Sequence, residues 1–176
     1  MSRLILPAVL FASLIGAVVL FAPQHEKANA ADAVTRPADK GASRAYLHSY
    51  NIPSSGLALE GYCPVAYFAV KKPVLGKPEY ASTYNDVTYH FVSADAKEMF
   101  DEDPEHYIPA YGGWCAFGMA KQDKFPVDPR NFKIVNDRLL VFLKNKNVDA
   151  REIWNQGDER ANLAKAAAHW KKVSGN

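Results

Sequence analysis

YASTYNDVTYHFV, residues 80–92, decides the fold. Asn85-Asp86 joins two runs of strand formers, and both residue types tolerate positive φ, so the stretch reads as a β-hairpin. On its second strand Val87, Tyr89 and Phe91 share one face, while Thr88, His90 and Val92 share the other. The same dipeptide returns as Asn136-Asp137 between residues 132–135 and 138–142, which predicts a second hairpin. Helices fill the intervals. Ser93 caps a predicted helix over 94–100. Asp103-Pro104 opens a short helical turn that Pro109 stops. Asp149 opens a helix containing Ile153 and Trp154 that ends near Gly157. A last helix starts at Asp158 or Glu159, with Leu163, Ala166, Ala167 and Trp170 at helical spacing. Upstream, residues 65–70 form a short apolar run ended by Lys71-Lys72-Pro73, read as a strand that Cys63-Pro64 enters through a turn. The predicted class is α+β: small antiparallel β-hairpins packed with short helices against one face, finished by C-terminal helices. No repeat of solenoid length is visible.

The first thirty residues bear on the compartment. Arg3 precedes an apolar run over 4–22 that is broken by Pro7, Ser13 and Gly16. A polar stretch follows and ends in Ala28-Asn29-Ala30, an A-x-A pattern that places cleavage between Ala30 and Ala31. The expected organisation is a signal peptide over 1–30, a flexible lead-in over 31–45 and a domain over 46–173. The expected location is the periplasm or the exterior, reached through the Sec route. A membrane association enters only if the apolar segment stays uncleaved. Removing residues 1–30 leaves 146 residues, enough for one core, and a net charge of +1. That balance argues against nucleic acid as a partner.

The mature chain holds two cysteines, Cys63 in GYCPVAYF and Cys115 in YGGWCAFG, and four histidines, His48, His90, His106 and His169. No C-x-x-C, H-x-x-x-H or C-x-x-H spacing joins them, so a metal site would be assembled by the fold from distant positions. Both cysteines follow glycines and sit in turns. In an oxidising compartment composition alone favours a Cys63–Cys115 disulfide over a metal. His90, alone on its strand face, reads first as a partly buried structural residue. Met119, close to Cys115, and Met99 could add soft sulfur donors for Cu(I). The aromatic residues crowded between Tyr62 and Phe117 read as core, with a ligand-lined groove as the alternative. Asp101, Glu102, Asp103 and Glu105 sit near helix starts, where they complement the dipole. No G-x-S-x-G, H-E-x-x-H, phosphate loop or dinucleotide fingerprint appears, so the expected class is not an enzyme.

Gly61-Tyr62-Cys63-Pro64-Val65-Ala66-Tyr67-Phe68, Tyr89-His90-Phe91-Val92-Ser93, Phe100, Pro104-Glu105-His106-Tyr107 and Tyr111-Gly112-Gly113-Trp114-Cys115-Ala116 together resemble the YHS-domain proteins, in particular the exported single-domain bacterial type. Asp128-Pro129, Trp154 and Trp170 also fit, and the resemblance covers roughly residues 46–170. It implies a fold related to the small TRASH-type metal modules and a heavy-metal-binding role. Two departures qualify it. Exported members usually carry Asp where Cys63 stands, and the cysteines that TRASH-type modules place after the strand matching Tyr89 to Ser93 are missing. The resemblance implies copper first and zinc second, with Cys63 and Cys115 as thiolate ligands and His90 and Met119 as auxiliaries. The alternative is a disulfide-locked structural or interaction domain that uses an aromatic groove to hold another exported protein. A third reading is a small-molecule binder using the aromatic pocket.

Overall fold

The computed structural model describes residues 49–175; the apolar leader, the Ala30/Ala31 cleavage site, the lead-in and His48 lie outside them. The described residues fall in one unit, Ala38–Asn176. A 3-10 turn, Ala58–Gly61, leads into α1 (Pro64–Ala69) and the hairpin β1 (Lys77–Tyr84)–β2 (Val87–Phe91). Helices α2 (Ala94–Glu102) and α3 (Pro104–Tyr107) follow. A second 3-10 turn, Ala110–Gly113, leads into α4 (Ala116–Ala120), the hairpin β3 (Asp128–Val135)–β4 (Arg138–Phe142), and helices α5 (Ala150–Gln156) and α6 (Glu159–Ser174). Each hairpin is its own two-stranded antiparallel sheet. The α+β expectation holds.

One local expectation does not. Residues 65–70 were expected as a strand, but Pro64–Ala69 is helical. Pro64 stands at the first helical position, where its fixed φ is already suitable and its missing N–H goes unused. Extended Cys63 (φ −69°, ψ 118°) supplies the N-cap geometry. Burial of Val65, Ala66 and Tyr67 then outweighs the local β preference of the run.

The order of elements also reveals an internal duplication. The first 3-10 turn and its helix, ALEGYCPVAYFA, superpose in sequence on AYGGWCAFGMAK, 52 positions later. The backbone repeats with it. Leu59 and Glu60 are left-handed (φ 52° each), and so are their counterparts Tyr111 (φ 57°) and Gly112 (φ 60°). Cys63 N–H donates to the Val74 carbonyl at 2.8 Å, and Cys115 N–H to the Phe125 carbonyl at 3.1 Å. The isolated parallel bridge Leu57–Thr88 has its counterpart in Pro109–Leu139. Both hairpins turn on Asn-Asp with both residues at positive φ. Both carry a bulge at the matching register, between Lys77 and Ala81 and between Asp128 and Phe132. The first half continues into α2, capped by the Ser93 hydroxyl, and the second into α5, capped by the Asp149 carboxylate. Each half is therefore one turn–helix–hairpin–helix unit.

The halves share β4. Leu139 and Val141 enter the first core cluster, with Tyr67, Tyr89, Phe91 and Phe100. Leu140 and Phe142 enter the second, with Tyr111, Met119 and Trp154. All four of these are fully buried, so past the exposed Arg138 the strand has no solvent face, unlike the one-sided hairpins expected from sequence. A further bond crosses between halves: the buried Tyr67 hydroxyl donates to the Pro129 carbonyl at 2.9 Å. Burial pushes the Tyr67 phenol well up, with Tyr62 and Cys63 adding to it, so it remains a donor.

Candidate functional site

The duplication explains where the two cysteines go. They occupy equivalent positions, each the N-cap of its short helix and each inside the core of its own half. Cys63 is 0% exposed and Cys115 1%. Both are free thiols. The Cys115 sulfur accepts a long contact from the Gly118 N–H, 3.5 Å. Met119, one helical turn on, lies in the same cluster as Cys115 and is fully buried. His90 lies on the β2 face opposite Val87, Tyr89 and Phe91, which are the strand residues packed with Cys63. Its imidazole borders Gly61, 3.7 Å from the point a Cβ there would take. The four residues expected as metal ligands are thus divided: Cys63 in one core, Cys115 with Met119 in the other, and His90 on the far face of β2. Among the described residues no group of three or more His, Cys, Asp or Glu side chains could hold a metal ion.

The remaining candidates have local partners. His106 faces Asp137 at 3.3 Å and packs on Phe68, ring centroids 4.8 Å apart. Asp101 accepts from Ser82 and pairs with Lys97, while Glu105 accepts from the Tyr84 hydroxyl at 2.5 Å. Met99 is exposed on α2.

The concave surface lies elsewhere, around the two left-handed turns. One cavity of about 220 Å³ is lined by Leu59, Glu60, Val87, Tyr89, Val127 and Pro129, among others. A second, of about 230 Å³, is lined by Glu105, His106, Tyr111, Arg138 and Trp170, among others. Tyr50, Pro109 and Gly112 line both, so the two cavities adjoin as one cleft. The segment carrying Tyr50 is tied across the second turn. Asn51 N–H donates to the Gly112 carbonyl at 2.9 Å, and its side-chain amide donates to the Gly113 carbonyl at 3.0 Å. The Trp114 indole N–H donates to the Ser49 carbonyl at 2.6 Å. The Tyr50 ring meets Trp170 edge-on, centroids 5.5 Å apart. Gly112 is needed where these meet, since a Cβ there would lie 2.6 Å from the Trp170 ring and 3.0 Å from Tyr50.

Strain and an unmet polar group mark this cleft. Leu59, Glu60 and Tyr111 are non-glycine residues held left-handed on its walls. Each costs about 1–2 kcal/mol, and such strain tends to gather at ligand sites. Tyr111 is 1% exposed, yet its hydroxyl has no hydrogen-bond partner among the described residues. A buried hydroxyl left in that state costs about 1–3 kcal/mol. Burial pushes the Tyr111 phenol up, and the Arg138 guanidinium, 5.3 Å above its ring, works in the other direction. Sequence reading took Tyr111 for core and left Arg138 aside. The missed signal was the repeat: Tyr111 stands where the first half has Leu59, and Arg138 where it has Val87. No protein-family model, curated protein or solved structure matches the chain.

Proposed function

We propose that the protein is an exported binding domain that takes a small molecule in the cleft between its two left-handed turns. The observation that carries this reading is the pair of adjoining cavities walled by strained backbone and by a buried hydroxyl without a partner. An engineered cavity of about 150 Å³ takes a benzene ring, so each half of the cleft has room for a ligand of single-ring size. The apolar lining of the first half supplies burial, and the polar groups of the second supply orientation. The test is a titration of the mature protein with small neutral aromatic probes, benzyl alcohol among them, followed by amide chemical shifts. The expected result is a saturable change at Leu59, Val87 and Gly112. Millimolar probes that leave these amides unmoved would remove the reading.

A second reading keeps the soft-metal role on a smaller donor set. Its support is that Cys115 and Met119, a thiol and a thioether one turn apart, share one core cluster. Such donors suit Cu(I). Titration of the reduced protein with Cu(I) against a competing chelator decides it: affinity that survives Cys115→Ser intact excludes this pair.

A further inference from the structure

The two cavities are the same place in the two halves. Leu59 and Val87 line the first, and the residues at their repeat positions, Tyr111 and Arg138, line the second. Two apolar side chains in one copy are thus matched by a phenol and a guanidinium in the other: Leu59 and Tyr111 on left-handed turns, Val87 and Arg138 at the first positions of β2 and β4. We propose that the second cavity is a carboxylate subsite, in which Arg138, seated on the buried Tyr111 ring, receives the acid group of a ligand whose apolar body lies along Leu59 and Val87. This deepens the cleft reading and rests on it.

The surrounding charges leave Arg138 for that task. Besides the tyrosines Tyr50 and Tyr111, the titratable side chains at or beside this cavity are Glu105, His106, Asp137 and Arg138. Glu105 is engaged by the Tyr84 hydroxyl, and Asp137 faces His106. Arg138 is exposed, makes no ion pair among the described residues, and is held by its stacking over Tyr111. Its planar fork matches a carboxylate with two parallel donors. The Tyr111 ring beneath it is buried and fixed, which limits the positions the fork can take. The geometry calls for a short acid: the head needs one cavity and the body the adjoining one.

Benzoate and its neutral counterpart benzyl alcohol separate this proposal from the one beneath it. Benzoate should bind the mature protein roughly tenfold or more tightly than benzyl alcohol, with shifts at Tyr111 and Arg138. Arg138→Gln should remove that advantage, bringing benzoate to within about twofold of benzyl alcohol on the same variant. Tyr111→Phe, which keeps the ring under Arg138, should leave benzoate binding within about twofold, whereas Tyr111→Ala should lose the advantage. Equal binding of the two probes, or benzoate binding indifferent to Arg138→Gln, overturns the subsite while the cleft reading stands. Inorganic phosphate competing as well as benzoate overturns the carboxylate assignment. If neither aromatic probe binds, both readings fall.

Discussion

Replacing the two cysteines singly and together distinguishes equivalent caps from partners at one site. Cys63→Ala and Cys115→Ala each remove one fully buried sulfur from an apolar cluster. The lost burial is about 0.8 kcal/mol for a group of methylene size, and the small cavity left behind brings the cost to about 1–2 kcal/mol. Cys115→Ala also loses the long contact from the Gly118 N–H and should sit at the upper end. The thiols lie in different clusters, so the double variant should equal the two singles within about 0.5 kcal/mol. Urea unfolding of the reduced, metal-free protein measures all four corners of the cycle, and the same cycle with Cu(I) present repeats it. Additive costs under both conditions fit two repeat-equivalent structural thiols. A coupling above about 1 kcal/mol, in either condition, would mean that the sulfurs act on each other or on a shared ion, and would refute this account of their placement.

Three further outcomes follow from the packing. Tyr111→Phe should stabilise the ligand-free protein by about 1 kcal/mol, because it removes an unpartnered buried hydroxyl; a loss of stability in urea unfolding would mean the hydroxyl has a partner in solution. Gly76→Ala places a Cβ 2.4 Å from the His90 backbone and should cost about 1–3 kcal/mol, read from the same unfolding midpoint. Asp149 caps α5 and accepts from Asn131 and Lys144, so Asp149→Ala should cost about 1–2 kcal/mol near neutral pH. Its carboxyl is held at about 2 against the ordinary 3.8, by Lys144 foremost, with Asn131 and the Glu152 N–H adding to it and burial opposing. A depressed carboxyl stabilises the fold above its ordinary value and loses that contribution as pH falls toward 2. The wild-type advantage over the alanine variant should therefore shrink between about pH 4 and pH 2, and an advantage that grows over that interval would contradict the assignment.

Much of the fold was legible because its punctuation is local. Asn85-Asp86 and Asn136-Asp137 fix two tight turns, and Ser93, Asp149 and Asp158 announce helix starts by side chains that accept the first free N–H groups. The run after Cys63 misled because its β-formers serve a helix begun by Pro64, and the deciding force is burial against distant residues. The cleft was not legible for a related reason. Its walls depend on left-handed Leu59, Glu60 and Tyr111, a conformation no propensity assigns to those residues. The cysteines invited pairing because composition treats them as a pair; their equivalence shows only when A-x-x-G-aromatic-Cys is read as one phrase written twice.

Because β4 lends one face to each core, neither half has a complete interior of its own. A fragment ending before Arg138 would expose the bed that Leu139 and Val141 occupy, and a fragment starting at Ala110 would leave those two side chains in water. The molecule should therefore melt as one cooperative body despite its twofold internal repetition, with amides of both hairpins exchanging through the same global opening.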